Sequence, residues 1–189
     1  EGRTLTQVPD VEGQGEFRAG PGGKKGTPVF HNSAMAPNRT RSVMLLSYAL
    51  SNKWFNPKEI NVLEGLGASG LRGRRWINEI SPELLEGVNI TVNDFNPEAT
   101  SWAQHSHLLH PSNNATNSKI EFVTGDFRRI VLDKKWHWID IDPFGSPIPF
   151  LDSALQSLAR TAVLEVSATD TAALCGSSPT AAKRKYGII

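Results

Sequence analysis

The chain has 189 residues, 39% of them hydrophobic, 21% charged and 8% aromatic, which suits one well-buried core and excludes a disordered tail or a fibrous repeat. A formal net charge of +1 excludes bulk attraction to nucleic acid, so binding of that kind has to come from local patches. No stretch approaches the ~20 apolar residues of a membrane span, there is no basic-then-apolar signal pattern, and the single cysteine, Cys175, excludes an internal disulfide framework and fits a reducing, cytoplasmic setting.

In chain order, residues 1–38 read as a loop-rich arm, with Gly13, Gly15, Gly20, Pro21, Gly22, Gly23 and Gly26 and few periodic apolar positions. Residues 39–189 read as the folded domain. Val43, Leu45, Leu46, Ala49 and Leu50 follow helical spacing and predict a first helix over 39–53. A strand is expected at 60–64, then a glycine turn and a helix over 71–80. A second strand at 88–94 precedes a helix over 97–110. A polar loop at 111–118 leads to a third strand at 120–124, and a fourth is expected at 136–141. A helix within 150–159, a fifth strand at 162–166 and a small-residue loop at 168–179 complete the order, with no helix signal at the end. Strands alternating with helices at this spacing mean βαβ units, hence an α/β fold with a Rossmann-like open parallel sheet.

In such sheets ligands bind beyond the carboxyl ends of the strands, and the informative residues fall there. Gly65-Leu66-Gly67-Ala68-Ser69-Gly70 follows the first strand and opens a helix, so a cofactor can lie against the backbone. Asp94 ends the second strand, 24 residues after Gly70, where a carboxylate accepts both hydroxyls of a ribose. Asp126 ends the third strand, placed for an adenine amino group beside the aromatic wall of Phe127. Each aspartate also suits a plain helix cap. A nicotinamide dinucleotide and S-adenosylmethionine both fit this pattern. Glu64, directly before the glycines, repels a pyrophosphate and suits the ammonium of S-adenosylmethionine, which favours the latter.

The fourth strand ends in Asp140-Ile141-Asp142-Pro143-Phe144-Gly145-Ser146-Pro147. A carboxylate, a proline and an aromatic in sequence suit methyl transfer to an exocyclic amine, whose lone pair is delocalised into its ring. Hydrogen bonds from the amine to Asp142 and a backbone carbonyl pull the nitrogen toward tetrahedral geometry, Pro143 stiffens the loop, and Phe144 stacks on the base.

These blocks resemble the tRNA (guanine-N2) dimethyltransferase family. The resemblance covers nearly the whole chain and rests on Phe30-His31-Asn32 with Asn38-Arg39, Gly67-Ala68-Ser69-Gly70-Leu71-Arg72, Asn93-Asp94-Phe95-Asn96-Pro97 and the block from Asp140 to Pro147. Ala168-Thr169-Asp170-Thr171-Ala172, Leu174-Cys175-Gly176 and Arg184-Lys185-Tyr186-Gly187 extend it. It implies a class I S-adenosylmethionine-dependent methyltransferase fold and transfer to the N2 amine of guanine 26 of tRNA, with Asp142, Pro143 and Phe144 at the reacting centre. It implies a cofactor held by Arg39, Arg72, Asp94 and Asp126, with Glu64, Gly65, Gly67, Ser69 and Gly70 at the turn and Phe95 and Phe127 beside the two aspartates. It further implies tRNA as the partner, no metal, no membrane and no obligate protein partner. The family continues beyond Ile189 through the rest of the sheet into a C-terminal domain, so a fragment is expected.

Arg72, Arg74 and Arg75, then Arg128, Arg129, Lys134 and Lys135, then Lys183, Arg184 and Lys185 are the candidate phosphate contacts. His105, His107 and His110 read as the polar surface of a helix, and Cys175 as a small structural residue. Two other functions fit the motifs less fully: an amino methylase acting on adenine N6, and an NAD-dependent oxidoreductase built on the glycine turn.

Overall fold

Five apolar runs become five parallel strands in the computed structural model of the chain, which describes residues 1–7, 29–56, 58–112 and 118–187. The glycine-rich part of the expected arm lies outside the described residues. Helix α1 (Ala36–Ser51) is followed by β1 (Ile60–Glu64), α2 (Leu71–Glu79), β2 (Val88–Asp94), α3 (Pro97–Leu109) and β3 (Lys119–Thr124). A single turn, α4 (Phe127–Ile130), precedes β4 (Trp136–Ile141), α5 (Ile148–Ser157), β5 (Leu158–Val166), a second single turn α6 (Thr171–Leu174) and α7 (Pro179–Tyr186).

The strand order is β3-β2-β1-β4-β5, all parallel. The chain runs outward from β1 to β3 and then returns to the other side of β1 with β4. The crevice at the carboxyl ends of β1 and β4 is therefore the switch point of a doubly wound sheet.

Alternating side chains divide the core in two. Val62 and Trp138 join α1 and α2 in one cluster with Val88, Ile90, Val92 and Trp76. Leu63, Ile139 and Ile141 face the other way, onto Phe127, Val131, Trp136 and Ala154. Trp76, Trp136 and Trp138 are fully buried, and side chains of that size contribute on the order of 3–5 kcal/mol each.

Several elements differ from expectation, among them the single turns α4 and α6, the latter inside the stretch expected as a loop at 168–179. β5 begins at Leu158, because Ser157 bonds back to the Ser153 carbonyl and closes α5, after which Leu158 turns extended at φ −63°, ψ 140°. α7 was not expected. Its stop and start signals are present, Pro179 in the first turn and Gly187 left-handed at φ 65°, but Thr180 to Lys185 carries no apolar stripe to announce a helix. The first residues are bound to α2: Thr4 is buried, and Arg74 donates to the Leu5 carbonyl at 2.6 Å.

Among the described residues, no helix is long and apolar enough to cross a membrane.

Candidate functional site

A cavity of about 360 Å³ opens at the switch point, walled by Glu64, Gly67, Asp94, Asp140 and Asp142 below and by Phe30, Met35 and Phe144 at its mouth. The glycine turn is built by close approach. A Cβ on Gly65 would lie 2.4 Å from the buried Phe127 ring and 3.0 Å from the Asp140 carbonyl oxygen, which itself accepts the Gly65 N–H at 2.9 Å. Gly70 is left-handed at φ 64° and lies against Ala103 of α3. Ala68, not a glycine, is also held at positive φ, 45°. Its N–H donates to the Asp94 carboxylate at 2.8 Å, while the other Asp94 oxygen accepts from the Asn96 N–H at 2.9 Å. Strain at Ala68 is thus offset by a bond that fixes Asp94 at the cavity wall.

Glu64 points back under the turn and accepts the Gly73 N–H at 2.9 Å. Burial raises its pKa to about 7, partly countered by Arg72 and reinforced by Asp142. A carboxyl protonated in the native state near neutrality lowers stability as pH rises, because the unfolded chain ionises first, from about 4.5. Glu64→Gln is therefore expected to match the parent protein at pH 4 and below. It should exceed the parent by about 3 kcal/mol above pH 7, in denaturant titrations of the cofactor-free protein across that range.

Arg72 organises the floor. Its guanidinium is 3% exposed and donates to Asp142 at 2.6 Å and Asn38 at 2.7 Å, with an ion pair to Asp140 at 3.0 Å and Glu165 at 3.9 Å. Ser42 extends the network, accepting from Trp76 and donating to Glu165 at 2.6 Å. Burial pushes the Asp140 carboxyl well above the usual range against the pull of Arg72, with Glu165, Asp142 and Glu64 adding to the rise. Arg72 Nη1 and Asp140 Oδ1 are buried without a hydrogen-bond partner.

The structure gathers most of the expected site residues. Arg39, Glu64, Gly67, Ser69, Arg72, Asp94, Phe95, Asp142, Pro143 and Phe144 line the one cavity. Gly65 and Gly70 shape the turn from beneath without reaching the cavity wall. Phe127 is 2% exposed and packs edge-on against Phe150 in the core, because β3 delivers it under Gly65. Asp126 caps α4, accepting the Arg128 N–H at 3.0 Å, and is chelated by the Arg128 side chain, which holds its carboxyl down at about 2.

Arg39 is engaged by both oxygens of Glu1 and by its own bond to the Asn32 carbonyl. Phe30 was read only as part of a motif; its ring meets Phe144 edge-on with centroids 4.3 Å apart, across 114 residues of sequence.

The first basic cluster is corrected. Arg72, Arg74 and Arg75 are all buried, Arg75 against Glu79 and Glu1, so none is presented to a phosphate. Of the second, Lys134 pairs with Glu121 and lies over Trp136. Cys175 is exposed, at the C-cap of α6, and His107 is half-buried against Phe122 rather than on a polar surface.

A model of the family described as N2,N2-dimethylguanosine tRNA methyltransferase matches residues 5–189. The tRNA (guanine(26)-N(2))-dimethyltransferase of Pyrococcus furiosus is 39% identical over 172 residues, covering 85% of this chain and 42% of that protein. The enzyme of the same description from Saccharolobus solfataricus is 36% identical over 192 residues, covering 100% of this chain and 45% of that protein. The chain thus spans less than half the length of the curated relatives it matches. Among solved structures, Trm1 from Pyrococcus horikoshii in complex with S-adenosyl-L-methionine superposes with a TM-score of 0.68 at 33% identity, over 86% of this chain and 44% of that one. An S-adenosylmethionine-dependent methyltransferase from Agrobacterium tumefaciens, 19% identical with a TM-score of 0.54 over 74% of this chain and 47% of that one, shares the fold alone.

Proposed function

Since this chain belongs to the N2,N2-dimethylguanosine tRNA methyltransferase family, we propose that it carries the cofactor-binding and base-receiving half of an enzyme that methylates the N2 amine of guanine 26 in tRNA. The reading also carries S-adenosylmethionine as cofactor, tRNA as partner and the cytoplasm as setting.

The residues present fit that cofactor. Asp94 offers a carboxylate for two ribose hydroxyls, with the exposed Phe95 ring beside it for the adenine. Glu64 and Asp140 supply carboxyl groups at the floor, beside the Arg72 guanidinium. Asp126 is held by Arg128 and does not line the cavity. When bound, S-adenosylmethionine supplies a methyl group on a positively charged sulfur.

The protein's part is orientation. Asp142 accepts an N–H of the guanine amine and turns the nitrogen lone pair toward the cavity. Arg72 keeps the Asp142 carboxylate in one orientation, which removes the cost of freezing it at each turnover. Phe144, 75% exposed, and Phe30 present aromatic faces at the mouth for a base withdrawn from the tRNA stack. Pro143 has no N–H to compete for Asp142.

The observation that carries this reading is a carboxylate in the cavity wall fixed by a buried arginine, next to the exposed Phe144 and the half-buried Phe30. The test uses the intact protein, methyl-labelled S-adenosylmethionine and a tRNA transcript, followed by nucleoside analysis. Label is expected in N2-methyl- and N2,N2-dimethylguanosine and is expected to vanish when inosine, which lacks only the N2 amine, replaces the target guanosine. Label that persists with inosine overturns the reading.

A further inference from the structure

Two segments singled out in the sequence, 168–172 and 184–187, have no task in the cofactor or base sites as described, although Thr169 stands at the cavity wall. Both close on the loop that carries Asp142, Pro143 and Phe144. We propose that Thr169, Asp170 and Tyr186 are positioning residues that latch this loop in its working shape, an inference that rests on the methyl-transfer reading for its effect on turnover.

The loop leaves β4 after Ile141 and enters α5 at Ile148, so no strand ladder holds residues 142–147. One end is tied down by Arg72 at Asp142. The other end is tied down by the two segments. Gly145, left-handed at φ 90°, donates its N–H to Thr169 Oγ1 at 3.2 Å. Next to it, the Ser146 hydroxyl accepts the Ile148 N–H at 3.3 Å. The Tyr186 hydroxyl donates to Asp170 Oδ1, and Asp170 Oδ2 takes the Lys185 ammonium at 3.0 Å. The result is a relay of oriented groups from Gly145 through Thr169 to the adjacent Asp170 and on to Tyr186, with Lys185 supplying the countercharge beside Gly145.

The relay has a rigid mount. Ala173 of α6 and Ala182 of α7 are both buried, and Ser178 bonds back to the Ala172 carbonyl, so Asp170 and Tyr186 ride on one small helical unit. Lys185 Nζ lies beside Gly145, 3.7 Å from where a Cβ would stand. It is occupied by Asp170 and so is set apart from Lys183 and Arg184 as a phosphate contact.

Phe144 explains why a latch is needed. Its ring is exposed and immediately precedes Gly145, whose backbone conformation has the least intrinsic restraint of any residue. Misplacement of a reacting partner by about 1 Å costs on the order of 100-fold in rate.

The test uses Tyr186→Phe and Thr169→Val in the intact protein, with Thr169→Ser as the conservative control. Each removes one hydrogen-bonding group and leaves the ring or the branched side chain in place. Cofactor affinity by calorimetry is expected to stay within about twofold, while kcat for tRNA methylation falls about 10- to 100-fold with little change in KM. Thr169→Ser is expected to restore kcat. Hydrogen exchange at the Gly145 amide is expected to quicken in both variants and to stay unchanged in β4. Wild-type turnover in both variants, or cofactor affinity falling in step with kcat, would overturn the proposal. If the parent protein methylates no guanine N2, it is the functional reading that fails; Gly145 exchange then decides the latch, and unchanged exchange overturns it.

Discussion

Asp142→Asn is expected to lower methyl transfer to tRNA by about 10²- to 10³-fold while leaving S-adenosylmethionine affinity within about threefold. The substitution keeps the size and the planar shape of the side chain and removes its charge. An amide oxygen still accepts a hydrogen bond, but it polarises the amine less as charge develops on the nitrogen, so the loss falls on kcat. Arg72 is not stranded by the change, because Asp140 and Glu165 remain its partners at 3.0 and 3.9 Å. Single-turnover transfer of labelled methyl, with calorimetric binding of the cofactor alongside, separates the two effects. Loss of cofactor affinity parallel to the loss of rate would place Asp142 at the cofactor instead of the base.

Arg72→Met carries the largest expected effect on stability. The guanidinium is buried to 3% exposure among Asp140, Asp142 and Glu165, and the Asp140 side chain is 1% exposed. Removing the cation leaves the carboxylates without their counterion, the buried Asp140 most of all. Breaking such a pair from one side costs about 3–5 kcal/mol. Urea unfolding of the cofactor-free protein at pH 7.5 measures it. Asp140→Asn in the Arg72→Met background is expected to recover a large part of the loss, because it removes the stranded charge and keeps the shape. The recovery also has a pH signature. Asp140 already lies above the ordinary carboxylate range, and without Arg72 it rises further, so Arg72→Met alone regains stability as the pH falls. If Arg72→Met were as stable as the parent at pH 7.5, the cluster would hold its charges by solvation.

The strands were legible because each is a short apolar run between turn residues, and β1 and β2 fall on the predicted boundaries. The site carboxylates were legible for the same reason, since a parallel sheet brings every strand end to one edge. What the pattern could not show is which neighbour a side chain chooses once there. Asp126 stands at a strand end like Asp94, yet it turns to Arg128 two residues on, whereas Asp94 is drawn across to Ala68. Phe127 follows the same strand end and looks like a pocket wall, but its ring is what fills the space above which Gly65 must have no side chain. Spacing gives no direction to a long cation either. Arg72, Arg74 and Arg75 read as a basic patch, although contacts with Glu1, Thr6, Glu79 and Asp142 take all of them inward. Phe30 was within reach only through a motif, because its meeting with Phe144 depends on how α1 packs over the switch point.

The two margins of the sheet are chemically unlike. β3 shows Lys119 and Glu121 on alternate residues, with Glu121 bridged to Lys134, and charges so placed discourage another strand from joining. β5 runs Leu158-Ala159-Arg160-Thr161-Ala162-Val163-Leu164-Glu165-Val166, and among the described residues it pairs along only one side, with β4. Its Glu165 is already turned inward to Ser42 and Arg72. That leaves a nine-residue line of peptide groups guarded by a single arginine, the better template for adding a strand. Of the two margins, β5 is the one at which a further strand would be added more readily.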